Sequence, residues 1–318
     1  MRPLPRPAVL LGLLIGAVAV STSAILARIA MGEDAGVVSA SAGAAPALAV
    51  AFWRTALGAL ALSPMAVRAQ RHARPLTAVR RRQLLGSGLS LALHFALFQG
   101  ALALTTVASA VTLVTMSPVF VALGGWWVLK ERTTRRTLFG MGLTMVGAVV
   151  IGVGDAAAID LGPQALLGDA MAFGGAVAIT GYLLVGRVAR RDVPATVYSC
   201  AVYAWAAAAL LLVCLGLGVP LVGYSATTWL ALLGIVVGPQ LLGHTVFNTL
   251  LSSVPATVVS IVVLSEPVGA GLLAWLVLDE LPAGAFAVGA PLVLVGVAVA
   301  TARRRGAREA AEATITET

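Results

Sequence analysis

The sequence predicts an all-α integral membrane protein with ten transmembrane helices, arranged as two inverted five-helix repeats. Three observations carry this. Charged residues make up only 11% of the 318, against roughly 25% in an ordinary soluble protein. Apolar runs of near membrane-crossing length, ~20 residues each, follow one another along the chain. And the stretch Met116 to Gly147 is repeated: Pro118, Trp126, Leu129, Glu131, Gly140 and Gly147 recur as Pro267, Trp275, Leu278, Glu280, Gly289 and Gly296, always at an offset of 149 residues. An offset held without a gap at six positions marks an internal duplication.

The ten spans fall at about 8–30, 46–67, 83–104, 107–129, 137–154, 165–187, 195–216, 227–250, 255–278 and 283–302. The first follows Arg2 and Arg6 and could pass for a cleaved signal peptide ending near Ser21-Thr22-Ser23-Ala24. Its apolar run continues to Ala30, so it reads as a membrane span. Arginine and lysine then set the orientation. With the N-terminus in the cytoplasm, Arg68, Arg71, Arg74 and Arg80 to Arg82 face the cytoplasm after span 2. Lys130, Arg135 and Arg136 do so after span 4, Arg187, Arg190 and Arg191 after span 6, and Arg303 to Arg305 after span 10. The acids Glu33, Asp34, Asp155, Asp160, Asp279 and Glu280 fall on the other side. The excess of 21 Lys and Arg over 13 Asp and Glu is therefore a topology signal, and no nucleic-acid partner is expected. The expected location is a cell membrane, plasma or inner, crossed many times with both termini cytoplasmic.

Five spans per repeat is an odd number, so the second copy enters from the opposite face. Residues 1–155 form the first repeat, 156–305 the second, and 306–318 a cytoplasmic tail. Inverted repeats of this kind accompany alternating access, with a substrate site near the midplane where the repeats meet.

At these residues the chain resembles the EamA family of permeases in the drug/metabolite transporter superfamily. The resemblance rests on SPVFVALGGWWVLKER with GMGLTMVG, on SEPVGAGLLAWLVLDEL with GAPLVLVG, and on FWRT at 52–55. It implies a ten-span small-molecule carrier, usually an exporter, and leaves the substrate open.

Several polar residues within the spans are candidates for the pathway. Glu266 lies near the middle of span 9, where a carboxylate is costly and should face protein or water. It reads either as a counter-ion for a substrate amine or a proton-coupling site, or as a protonated group bonded to a broken helix. Arg54, deep in span 2, could grip a carboxylate or phosphate, or pair with Glu266. His94 and His244 could carry protons or simply bridge helices. Gln99 and Asn248 are repeat mates, read as polar glue or cavity lining. Tyr182, Tyr203 and Trp205 read as an aromatic wall or as plain packing. Pro118, Pro267 and Pro239 should interrupt their helices, either lining a cavity or serving as gating hinges, or as passive packing bends. Glu131 and Glu280 sit at opposite membrane faces and cannot form a catalytic dyad. Each is expected to cap the next helix in a structural turn, and Asp169, opening span 6, is expected to cap that helix.

Arg54 and Glu266 together would suit a zwitterion such as an amino acid. No ATP-binding, zinc or cofactor motif occurs, so no cofactor or metal is expected, and energy would come from substrate or proton gradients. The alternatives are an intramembrane enzyme, for which no nucleophile–base set is present, and a membrane scaffold. The lipid bilayer and a small-molecule substrate are the expected partners, and the sequence leaves the oligomeric state open. Inversion makes a direct prediction: single cysteines placed beside Glu131 and beside Glu280 will react with impermeant thiol reagents from opposite sides of the membrane. Labelling of both from one side would rule out the inverted arrangement.

Overall fold

The structure, a computed structural model, describes residues 4–32, 35–155, 162–278 and 284–302. Among these the chain is helical, with no strand. The helices are α1 (Arg6–Met31), α2 (Ala47–Arg71), α3 (Ala78–Leu104), α4 in two pieces (Val107–Val114 and Ser117–Val128) and α5 (Arg135–Asp155). They continue as α6 (Pro163–Ala189), α7 (Ala195–Gly216), α8 (Ala226–Leu250), α9 in two pieces (Ala256–Val263 and Glu266–Leu278) and α10 (Gly284–Thr301). Glu280 and the tail 306–318 lie outside the described residues.

The helix starts follow from local chemistry. Thr77, Thr106 and Ser225 each accept a hydrogen bond from the amide three residues on, closing the first turn of α3, α4 and α8. Pro163 opens α6, at a position where its missing N–H costs nothing. Between caps, apolar side chains pack inward and also face outward. Leu14, Leu60, Trp127, Leu212 and Leu276 are all well exposed, as lipid contact requires.

The tertiary contacts obey the exchange of the repeats. Helix α2 packs along α7, and α5 along α10. Helix α1 lies against α8 just as α3 lies against α6. At one end of the bundle Arg80 pairs with Asp192 (2.9 Å) and Arg136 donates to the Val299 carbonyl (3.1 Å). At the other, Ser225 donates its amide to the Gly43 carbonyl (2.8 Å). The arginine-rich connections therefore share one end of the bundle.

The repeated glycines are the contact between the fifth helices of the two halves. A Cβ on Gly147 would come within 2.7 Å of the Gly289 carbonyl, and one on Gly289 within 2.6 Å of the Gly147 carbonyl. A Cβ on Gly140 would come equally close to the Gly296 carbonyl, at 2.6 Å, with the reverse contact at 2.7 Å. Only glycine permits this backbone approach, which places van der Waals contact where lipid supplies no hydrophobic drive. Thr144 sits buried between the two levels and returns its hydroxyl to the Gly140 carbonyl (2.7 Å).

Two expectations about carboxylates are corrected. Glu131 does not cap α5. It accepts a hydrogen bond from Arg187 (3.0 Å) in an ion pair that ties the α4–α5 turn to the end of α6. Thr134 caps α5 instead, through the Thr137 amide. The turn itself needs Lys130 at φ 57°, which carries the chain sharply out of α4 and turns the Glu131 amide back to Gly125. Asp169, expected as a cap, sits a turn inside α6 and accepts from Thr105 (3.0 Å) and Ser109 (2.6 Å) across the α3–α4 turn.

Replacing Gly147 or Gly289 by leucine will therefore separate α5 from α10. A loss of about 1–3 kcal/mol is expected, the usual cost of overpacking, read as a lower melting temperature in detergent. Gly142→Leu, on the lipid face with nothing nearby, will melt like the parent. Equal melting of all three would show that the α5–α10 contact is not tight.

Candidate functional site

Both repeats break their fourth helix at the same register. Helix α4 stops at Val114 and restarts at Ser117, and α9 stops at Val263 and restarts at Glu266. The proline of each repeat, Pro118 or Pro267, follows as the second residue of the new half-helix, where it needs no N–H partner. Helix α8 is disturbed differently. From Val236 to Thr245 it winds as a π-helix around Pro239, the wider turn absorbing the missing donor. The Gln240 carbonyl in this segment accepts from the Tyr203 hydroxyl (3.2 Å) and the Thr245 hydroxyl (3.1 Å).

These irregular segments surround one cavity of about 60 Å³ inside the bundle. Pseudo-symmetric pairs line it: Val114 with Val263, Ser117 with Glu266, Phe95 with His244, and Phe98 with Phe247. Each pair is again separated by 149 residues. The repeat axis thus passes through the cavity, and the chemistry there is asymmetric, since one copy offers a hydroxyl and a phenyl ring where the other offers a carboxyl and an imidazole.

Among the described residues Arg54 is the most buried charge, at 1% exposure. Its guanidinium carbon sits 3.8 Å above the Phe95 ring centroid, and its Nε donates to the Gln240 side-chain oxygen (3.1 Å). A cation over an aromatic face is stabilised without a counter-ion, the more so when water is excluded. Glu266 lines the same cavity at 6% exposure, and its Oε1 has no hydrogen-bond partner among the described residues. The two opposite charges do not form an ion pair. A contact ion pair between Arg54 and Glu266, one of the alternatives open in the sequence, is therefore not made in this conformation.

Both histidines reach the cavity. His94 bonds the Gly175 carbonyl through Nδ1 (2.9 Å), which makes Nδ1 the donor, and it stacks on Phe98. His244 meets Phe95 edge-on at 5.3 Å. Tyr182 lines the wall and donates to Asn248 (2.6 Å), which in turn donates to Ser199 (2.9 Å). Asn248 is therefore interhelical glue between α6, α7 and α8. Tyr203 stands behind Gln240 as a brace. Gln99 is buried away from the cavity, and neither end of its amide has a partner among the described residues.

Trp205 is a correction. It is 46% exposed and lies on the outside of the bundle, its Cβ against Gly88. Helix α7 places Tyr203 inward, and a residue two positions on points about 200° away at 3.6 residues per turn, so both cannot share one wall.

Sequence reasoning missed Gln240 and Arg190. A glutamine in mid-span beside Gly238-Pro239 was a visible signal. Arg190 looked like one more topology charge. It is in fact buried, donating to the Asn248 carbonyl (2.8 Å) and to the Val193 carbonyl. Burial lowers its pKa to about 10, so it stays charged at neutral pH and anchors the end of α6 to α8.

The comparisons bear on family and fold. No curated protein matches the chain as a relative. Among solved structures, a crystal structure of a protein 23% identical superposes with a TM-score of 0.73, covering 93% of this chain and 97% of that one. That likeness establishes the fold. The pattern of the EamA-like transporter family matches residues 7–153 and again residues 166–302, nearly the whole chain in two copies, and the protein belongs to that family.

Proposed function

We propose that this transporter is a secondary carrier that exports a small zwitterionic metabolite, such as an amino acid, by alternating access, with the Arg54–Glu266 cavity as its substrate site. One observation carries the substrate class: a buried guanidinium and a buried carboxyl share a cavity without touching. An unpaired charge inside a membrane protein is costly. A zwitterion satisfies both, its carboxylate on the planar fork of Arg54 and its ammonium on Glu266. Glu266 can alternatively take up a proton when the substrate leaves, which couples transport to a proton gradient.

The cavity supports a gated cycle. At about 60 Å³ it holds a few waters, far below the ~300–1,000 Å³ of ligand pockets. Substrate binding therefore requires the helices around it to part. The breaks in α4 and α9 and the π-segment of α8 are the places where few backbone bonds must change for that to happen. The bilayer is the cell membrane, with the arginine-rich end and both termini in the cytoplasm, as the distribution of basic residues supports.

Counterflow in proteoliposomes preloaded with amino acids tests the class, and no exchange with any zwitterionic pool would sink it. In the same assay Glu266→Gln will abolish exchange or make it insensitive to pH while the melting temperature is kept. Wild-type transport and pH profile in that variant would remove Glu266 from the mechanism. Arg54→Lys retains a charge and loses the fork and the flat stack on Phe95. A fall in uptake of roughly tenfold to a hundredfold is expected, matching the ~1.5–3 kcal/mol of a hydrogen bond to a charged group. Uptake within twofold of the parent would show that Arg54 does not grip the substrate.

A further inference from the structure

A second concavity lies on the outside of the bundle, away from the cavity. At the arginine-rich end a crevice of about 870 Å³ opens between the start of α1, the start of α5, the α8–α9 turn and the end of α10. It shares Leu10, Leu13 and Thr301 with an apolar groove of about 490 Å³ that continues between α1, α9 and α10. The joined groove follows α1 from Arg6 to Ser21, roughly 22 Å at 1.5 Å per residue. That exceeds the ~15 Å half-thickness of a bilayer core.

Chemistry divides along its length. Its mouth carries Arg6, Arg135 and Arg136, all exposed, and none has a carboxylate partner among the described residues. Arg136 is steadied by its Nε on the Val299 carbonyl (3.1 Å), which leaves its two terminal nitrogens for a ligand. Below the mouth the walls are Leu13, Leu14, Val18, Val262, Leu272 and Leu294. Three cations above an apolar slot one leaflet deep match a molecule with an anionic head and a hydrocarbon tail.

We propose that this crevice binds one anionic phospholipid, its phosphate held by Arg6, Arg135 and Arg136 and one acyl chain lying in the groove between α1, α9 and α10. Basic pockets between transmembrane helices recognise such head groups, while a zwitterionic head presents its own cation to the same arginines. A second copy of this chain is the poorer occupant. A two-fold interface sets each patch against itself, which would bring six arginines together. The groove is walled by both halves of α9, Val258 and Val262 before the break and Val268 and Leu272 after it. The lipid would thus rest against the helix whose break carries Glu266.

Native mass spectrometry of the full-length protein, stripped of lipid and titrated with phosphatidylglycerol or phosphatidylcholine, tests this. The parent should hold one phosphatidylglycerol in preference to phosphatidylcholine. The triple variant Arg6→Gln, Arg135→Gln, Arg136→Gln should weaken phosphatidylglycerol binding about tenfold and leave phosphatidylcholine unchanged. The control Arg71→Gln, Arg74→Gln, Arg81→Gln, outside the crevice, should change neither. Equal binding of the two lipids, or an equal loss in the control, would overturn the site. A photo-crosslinking residue at Leu10 in the otherwise unaltered chain, irradiated in phosphatidylglycerol vesicles, should give a single-lipid adduct. A crosslink to a second chain, or to the chain's own residues 303–318, would show another occupant and overturn it too.

Discussion

A chain in lipid must satisfy its own backbone, since no water is there to do so. A transmembrane helix can therefore stop halfway only where protein surrounds the stop. This one constraint fixes where the cavity is. Helices α4 and α9 break at equivalent residues, around Thr115 and Leu264, and both breaks are turned inward. The π-segment of α8 joins them, its Gln240 carbonyl accepting from the Tyr203 and Thr245 hydroxyls. Irregular backbone and buried charge collect at one level because each needs the same shelter from hydrocarbon.

Around that level the two halves of the bundle do different work. The α5–α10 pair, locked by glycine against glycine, carries no charge toward the cavity and acts as a frame. Helices α2, α3, α8 and α9 supply Arg54, His94 and Phe95, His244, and Glu266. The polar links that hold these helices together run behind the cavity wall, through Asn248, Ser199, Tyr203 and Arg190. Glu266 in front keeps an unpartnered oxygen while Asn248, Ser199, Tyr203 and Arg190 behind it all hold interhelical hydrogen bonds. That division suits a site whose ligand comes and goes on a scaffold that persists.

Much of this was legible in the residues. The offset of 149 marks the prolines at both helix breaks, the repeated glycines and the pairing of Glu266 with Ser117. Glu266 and Arg54 stood out because charge in mid-span is rare. Other assignments failed for physical reasons. Glu131 looked like a cap because a carboxylate before a helix usually is one, yet Arg187 from another helix out-competes backbone amides for it. Trp205 looked like a wall beside Tyr203, yet the helical period turns it to lipid. Arg190 looked like a surface charge, yet the fold buries it against the carbonyls of Asn248 in α8 and Val193 in the α6–α7 turn.

The sequence by itself determined the class of protein, the doubled repeat and the polar residues at membrane depth. These depend on composition, periodicity and repetition, which are properties of the chain read along its length. Tertiary structure alone decided which of those residues meet. Residues 54, 95, 240 and 266 lie on four different helices, and whether Arg54 rests on Glu266 or on Phe95 and Gln240 is set by helix rotation and by the extra width of the π-turn. No local pattern encodes either one, because both follow from how ten helices share the space at the centre of the bundle.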